Sequence, residues 1–154
     1  MTIKQLKKTM RAVRENRVEI SELTDKREEI RARAEKVTQT LTGMPGTHDA
    51  GDKIGNYVSE MSELTGMLDK RIHDLTAQEC QVIQWISKLE DGLHRSVLLI
   101  YYVTGPIGCT WDYVAKQISY STDWVLRAHG RALQDLLAAI NDKDKVNMKN
   151  HKKP

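Results

Sequence analysis

The chain has 154 residues, of which 29% are charged and 40% hydrophobic, a length and composition typical of one domain or of a small domain with an elongated accessory element. No apolar run is long enough to cross a bilayer and the N-terminus has no apolar signal core, so we expect a cytoplasmic protein. Cys80 and Cys109 lie far apart without CxxC or histidine spacing, which predicts reduced thiols rather than a zinc site or a disulfide.

The net charge of +3 is unevenly distributed along the chain. Residues 1–42 carry 11 Lys and Arg against 7 Asp and Glu, residues 43–93 carry 4 against 9, and residues 94–154 carry 9 against 5. Both ends are therefore basic, whereas the middle is acidic. A basic C-terminal part agrees with binding to a polyanion, although a surplus of this size does not establish it.

The first half of the chain has the pattern of two long helices. From Ile3 to Leu41 apolar residues recur at steps of mostly three and four, which favours a coiled-coil seam over one edge of a packed bundle helix. Four glycines and one proline in residues 42–55 predict a Gly-rich loop, and a second amphipathic helix follows from about Lys53 to Leu89. The second helix is acidic and the first basic, so we predict a helical hairpin over residues 1–92 that serves as an oligomerisation region.

Residues 93–140 have the pattern of a small three-helix domain. An apolar helix over Leu93 to Val103 is followed by Thr110, which is placed to cap the next helix. The stretch from Thr110 to Leu133 predicts a helix-turn-helix, with a turn at Ser119-Tyr120 and an N-cap at Ser121. The predicted inward residues are Tyr113, Val114, Ala115 and Ile118 in its first helix and Val125, Ala128, Ala132 and Leu133 in its second.

The outward side of that second helix is the predicted DNA-reading surface. Arg127 is the strongest candidate for a base contact, because a guanidinium can bind guanine through two hydrogen bonds. Lys116 and Arg131 flank the motif and suit phosphates, whereas Trp124 is expected to pack on the preceding helix or on the sugar–phosphate edge. The candidate DNA-binding residues are Lys116, Ser121, Thr122, Asp123, Trp124, Leu126, Arg127 and Arg131.

The remaining sequence does not indicate catalysis. The five histidines are scattered, and no Ser/His/Asp, HExxH or paired-cysteine arrangement occurs, so we expect a protein that is not an enzyme and that needs no metal or cofactor. Residues 141–154 are rich in lysine and lack an apolar face, which predicts a basic flexible tail.

Four short motifs resemble those of a known family. They are Gly43-Met44-Pro45-Gly46, Trp111-x-x-Val114-Ala115, Tyr120-Ser121 and His129-Gly130-x-Ala132-Leu133. The chain thereby resembles the ArpU/RinA group of phage late-gene transcriptional regulators, whose C-terminal half is a helix-turn-helix like region four of sigma factors. The resemblance covers most of the chain, and its most specific part, the helix-turn-helix motif, is confined to about residues 93–137. The chain departs from the pattern in a longer Gly105–Trp111 link and in Ser119, where glycine is common.

The resemblance implies a phage or prophage of a Gram-positive bacterium and a role in activating late genes for packaging, morphogenesis or lysis. The implied partners are double-stranded DNA, the host RNA polymerase and further copies of the chain, and a membrane is not among them. An activator is preferred to a complete sigma factor, because no domain for the upstream promoter element is evident. Two alternatives stay open: a small terminase subunit, whose DNA-binding domain usually comes first, and a helical interaction protein that binds no DNA.

Overall fold

The computed structural model describes the backbone of residues 1–41 and 48–150 and the side-chain surroundings of residues 1–40 and 53–142. The regular structure of the described residues is entirely helical, which confirms the predicted all-α class. The elements in chain order are α1 (Ile3–Leu41), α2 (His48–Ile86), α3 (Gly92–Leu99) with a π-helical turn (Ile100–Thr104), α4 (Trp111–Ile118) and α5 (Thr122–Asn150).

The chain divides into two compact units. The first, named the core unit here, contains Met1–Arg17 and Ala77–Pro154, and the second, named the hairpin unit, contains Val18–Thr76. The predicted boundary at residue 92 differs from this division, because both ends of the predicted hairpin belong to the core unit. An apolar stripe at helical spacing does not indicate how many neighbouring helices it packs against. The boundaries between the two units, after residues 17 and 76, therefore could not be predicted from the sequence.

The hairpin unit is an antiparallel pair formed by the later part of α1 and the earlier part of α2. Arg71 binds Glu19 at 2.7 Å, and Arg27 binds Asp69 at 3.0 Å, so the two helices run in opposite directions as predicted. The second half of the predicted loop at residues 42–55 is corrected, because α2 begins at His48; residues 42–47 lie outside the described residues. Glycine in a helix costs only about 1 kcal/mol relative to alanine, so an established helix can continue through this segment.

The core unit has a continuous apolar interior. Side chains from the first turns of α1 meet the end of α2, α3 with its π-helical turn, and the middle of α5. This interior consists of Leu6, Met10, Val13, Val82, Ile86, Leu89, Leu98, Tyr102, Val103, Ala132, Leu133, Leu136 and Ile140. Since burial of apolar area is the dominant stabilising contribution to folding, the first 17 residues are a structural part of the core unit, which also contains the helix-turn-helix.

α5 is longer than the sequence predicts. It continues to Asn150, so residues 141–150 of the predicted flexible tail are helical, and residues 151–154 lie outside the described residues. The Asn141 side chain accepts from the N-terminal ammonium of Met1 at 3.0 Å and donates to the Met1 carbonyl at 3.2 Å. Lysine and methionine also have high helix propensity, so α5 can continue beyond residue 140 although this segment has no apolar face.

α3 ends in a π-helical turn that requires Gly105. The Gly105 N–H donates to the Ile100 carbonyl, five residues back, at 2.9 Å. A Cβ at Gly105 would lie 2.3 Å from that carbonyl oxygen and 2.9 Å from Cys109 Sγ, so no larger residue fits. The apolar segment predicted as one helix over residues 93–103 is therefore an α-helix that changes to π geometry at its end.

Candidate nucleic-acid interface

The helix-turn-helix has its own apolar interior. Val125 and Ala128 of α5 pack with Val114 and Ala115 of α4, and Cys109 and Val97 complete this cluster. All four α5 residues that were predicted to face inward are buried, as Ala132 and Leu133 lie in the main interior of the core unit.

Tyr113 is a correction to the predicted inward face of α4. Its side chain is 36% exposed, whereas Val114 is fully buried and Trp111 packs partly against the same cluster. Counting from Trp111, the steps of three and four place Val114, Ala115 and Ile118 on one side of the helix, and Tyr113 lies off that side.

The turn between α4 and α5 has the predicted caps. The Thr110 hydroxyl accepts from the Tyr113 N–H at 3.3 Å, and the Ser121 hydroxyl accepts from the Trp124 N–H at 3.2 Å. Ser119 closes α4 in the left-handed region, with φ 60° and ψ 42°. Only glycine adopts this conformation without steric cost, so Ser119 is a strained position in the turn.

Asp123, Leu126 and Arg127 form an exposed surface on the first turns of α5, named the reading face here. Leu126 is 45% exposed, and the Arg127 guanidinium makes no hydrogen bond or ion pair with any residue that the structure describes. Thr122 behaves differently: it is half-buried, and its hydroxyl donates to Asp112 Oδ1 at 2.7 Å. The hydroxyl of Thr122 therefore joins α5 to α4, and its neighbour Ser121 is occupied as a cap.

A small basic cleft of about 160 Å³ lies beside the reading face. It is lined by His94, Trp124, Arg127, Ala128 and Arg131. Trp124 is half-buried and stacks on Tyr120 with ring centroids 4.1 Å apart, so one side of it packs on the turn while the indole also borders the cleft. Both alternatives for Trp124 are thus compatible with its position. The exposed Lys116 lies in the last turn of α4.

An aromatic stack, which we did not predict from the sequence, joins the π-helical turn to α4 and α5. The Tyr101 and Trp111 rings are stacked, with centroids 3.6 Å apart and planes 5° apart. The Arg14 guanidinium lies 4.2 Å from the Tyr101 centroid and donates to the Cys109 carbonyl. The Trp111 motif was a partial signal for this stack, but Arg14 is about 90 residues away in the chain, and its contact depends on the packing of α1.

His129 lies at the end of this stack, with its ring centroid 4.6 Å from that of Trp111. Its Nε2 lies 2.9 Å from the Tyr102 hydroxyl, within hydrogen-bond distance. Burial, with the nearby charges of Lys7 and Arg11, lowers the pKa of His129 to about 4, and burial raises the pKa of Tyr102 to about 12. At neutral pH the tyrosine therefore keeps its proton and can donate it to a neutral imidazole.

The two units differ in charge. The core unit contains 16 Lys and Arg against 9 Asp and Glu, whereas the hairpin unit contains 8 against 12. The helix-turn-helix thus belongs to the unit whose charge suits a polyanion.

Among the described side chains, no three His, Cys, Asp or Glu residues are grouped as metal ligands require. None of the described helices combines the length and apolar character needed to span a membrane.

Comparison of the chain with protein-family models, with curated proteins and with solved structures found no match. The family resemblance therefore rests on the motifs alone.

Proposed function

We propose that this protein is a sequence-specific, double-stranded DNA-binding activator of phage or prophage late genes. The observation that carries the proposal is the reading face: an exposed, unpaired Arg127 with Asp123 and Leu126, on a helix whose opposite side is fixed by two apolar clusters. A major groove about 12 Å wide admits an α-helix, and a helix-turn-helix presents the N-terminal residues of its second helix to the base edges.

Within this proposal the candidate residues have different roles. Arg127 binds a guanine through its two terminal nitrogens, and Asp123 accepts from a cytosine amino group or orients Arg127. Lys116 and Arg131 bind phosphates, which positions the helix without reading sequence. Thr122 contributes mainly through the position of α5, because its hydroxyl already donates to Asp112.

We propose further that copies of the chain associate through the hairpin unit. Among its described side chains only Ile30 and Leu75 are buried, whereas Val58 and Leu64 are about two-fifths exposed and Met67 is 65% exposed. A second copy would cover these apolar side chains and would hold two helix-turn-helix motifs on one DNA site, which raises affinity without new contacts. In sedimentation equilibrium, Met67→Glu should shift the protein towards monomer; an unchanged mass would contradict this arrangement.

The proposed setting is the cytoplasm of the host bacterium, with the host RNA polymerase as the further partner. A small terminase subunit is the second candidate among DNA-binding functions. It would bind the same kind of duplex through the same residues, so the site on the genome distinguishes the two.

The test of the proposed function is retention of fragments of the phage genome by purified protein in competitor DNA, with wild type and Arg127→Ala compared. We expect one retained fragment upstream of a packaging, morphogenesis or lysis gene, and a loss of about 1–3 kcal/mol on that fragment for the variant. Arg33→Ala, which removes an exposed arginine from the hairpin unit, is the matched control and should bind as wild type. Equal loss on every sequence would contradict base reading by Arg127, and retention of a packaging-start fragment would favour the terminase.

A further inference from the structure

The N-terminal turns of α1 present a row of basic side chains that none of the assigned roles uses. Lys4, Lys7, Lys8 and Arg11, named the basic face here, are all exposed. None of them forms a hydrogen bond or an ion pair with the residues that the structure describes. The whole segment of residues 1–17 has five basic residues besides Arg17 and a single acidic one, Glu15.

The hairpin unit provides the contrast. Lys26, Arg27, Arg31, Arg33 and Arg71 are each paired with a carboxylate there. An unpaired row of like charges is electrostatically unfavourable by itself, because each cation is repelled by the others. An anionic partner bound to the basic face would relieve this repulsion, whereas the cations of the hairpin unit that are named above already have carboxylate partners.

The basic face is held at a fixed place along α5. On the opposite side of the same helix, Leu6 and Met10 are fully buried in the interior that α5 shares. The Met1 ammonium binds the side chain of Asn141, and the charges of Lys7 and Arg11 lie near enough to His129 to lower its pKa. The first turns of α1 thus run antiparallel to residues 129–141 of α5, a length of about 18 Å at 1.5 Å per residue.

This placement puts the basic face directly after the reading face along α5. Arg127 is two residues before His129 but about 200° around the helix from it, so at that end the row of cations is close to the predicted base contact only along the helix axis. Asn141, which binds Met1, lies fourteen residues after Arg127 and therefore on nearly the same side of α5. A helix in the major groove lies between two phosphate strands, and a second helix fixed beside it lies near one of them. Lysine and arginine on such a helix bind phosphate oxygens and release condensed counterions.

We propose that the basic face of α1 binds the phosphate strand that borders the groove read by α5, so that both helices dock on one duplex. This inference rests on the proposed DNA-binding function and adds to it a second docking element from the opposite end of the chain. The basic face determines the strength and the salt dependence of binding, whereas the reading face determines the choice of sequence.

The test uses a fluorescein-labelled 30-base-pair duplex of arbitrary sequence, with binding followed by anisotropy in KCl from 50 to 300 mM. The variant is Lys4→Gln/Lys7→Gln/Lys8→Gln, and the control Lys26→Gln/Arg31→Gln/Arg33→Gln removes the same charge from the hairpin unit. Since each lost phosphate contact reduces the slope of log K against log salt by about 0.9, we expect the slope to fall by about 2–3 and the affinity at 100 mM KCl to fall on the order of 100-fold. The control should retain the wild-type slope.

Three outcomes would overturn the inference. A triple variant with the wild-type slope would remove the basic face from the interface and leave the proposed function standing. A control that loses as much as the variant would show a response to net charge alone. Wild type that does not bind the duplex at 50 mM KCl would remove both proposals, and binding of that protein to vesicles with 30% phosphatidylserine would assign the basic face to a lipid surface. The substituted lysines are exposed, so thermal melting followed by circular dichroism should be unchanged.

Discussion

The core unit and the hairpin unit share two helices, α1 and α2, and yet they use them differently. In the core unit α1 buries Leu6, Met10 and Val13 and leaves the cations of its basic face unpaired. In the hairpin unit the same helix buries only Ile30 among its described side chains and pairs most of its cations with carboxylates. A single helix can therefore serve a packed domain at one end and a solvated ion-paired hairpin at the other.

The difference shows which kind of interaction stabilises each unit. Exposed ion pairs contribute at most about 1 kcal/mol each, so the hairpin unit gains little from the pairs that it makes. The core unit gains most of its stability from apolar burial and has its surface charges available for a partner. Substitutions at matched positions in the two units, and the titration of a histidine in the core unit, test this difference.

The largest expected difference concerns two methionines. Met10 is fully buried in the core unit, whereas Met61 in the hairpin unit is only half-buried. We expect Met10→Ala to lower the free energy of unfolding by about 2–5 kcal/mol, because it leaves a cavity in a packed interior. Met61→Ala should cost about 1 kcal/mol or less, because a half-buried side chain loses less apolar contact. Urea unfolding followed by circular dichroism at 222 nm measures the free energy of unfolding of both variants. Similar losses would mean that the two units are equally well packed.

A glycine in each unit gives an effect of opposite sign. Gly105→Ala places a Cβ against the Ile100 carbonyl and Cys109 Sγ and should cost about 1–3 kcal/mol. Gly66 lies in α2, where an added Cβ would meet nothing within 4 Å, so Gly66→Ala should stabilise by about 0.5–1 kcal/mol. Thermal melting distinguishes the two. An unchanged melting temperature for Gly105→Ala would mean that the π-helical turn tolerates a side chain.

The smallest expected effect is a pH dependence that belongs to the core unit. The pKa of His129 is about 4 in the folded protein against an ordinary value of 6.5, so below pH 6.5 the unfolded chain binds a proton that the folded protein does not. Stability should therefore fall as the pH is lowered from 6.5 towards 4. Because the imidazole is only partly shielded from solvent, we expect wild type to lose about 1 kcal/mol more than His129→Gln between pH 7 and pH 5. Equal losses in urea unfolding would show that His129 is not responsible.

Much of the helical pattern could be predicted from local signals. The bounds of α1, the caps at Thr110 and Ser121 and the buried side of α5 follow from spacing and from residues that bond to their own backbone neighbours. The features that the sequence missed depend on contacts between distant segments. The bond from Thr122 to Asp112 and the stacking of Arg14 on Tyr101 both require the tertiary arrangement. The extension of α5 past residue 140 combines the contact of Asn141 with Met1 and the helix propensity of lysine and methionine.

The candidate site divides in the same way. The helical period was sufficient to place Asp123, Leu126 and Arg127 on the exposed side of α5. It was not sufficient to find the basic face, because residues 4–11 are about 120 residues from the reading face in the chain. By spacing alone the cations of α1 resemble any solvated helix surface, and only the burial of Leu6 and Met10 in the shared interior sets them apart.

DNA binding by the core unit is tested most directly by the change in amide chemical shifts of ¹⁵N-labelled protein on addition of the 30-base-pair duplex. We predict that the largest changes lie at Asp123, Leu126 and Arg127, with a second group at Lys4 to Arg11, and that residues 18–76 change little. Changes confined to the hairpin unit, or no changes at equimolar duplex in 50 mM KCl, would contradict the assignment of DNA binding to the core unit.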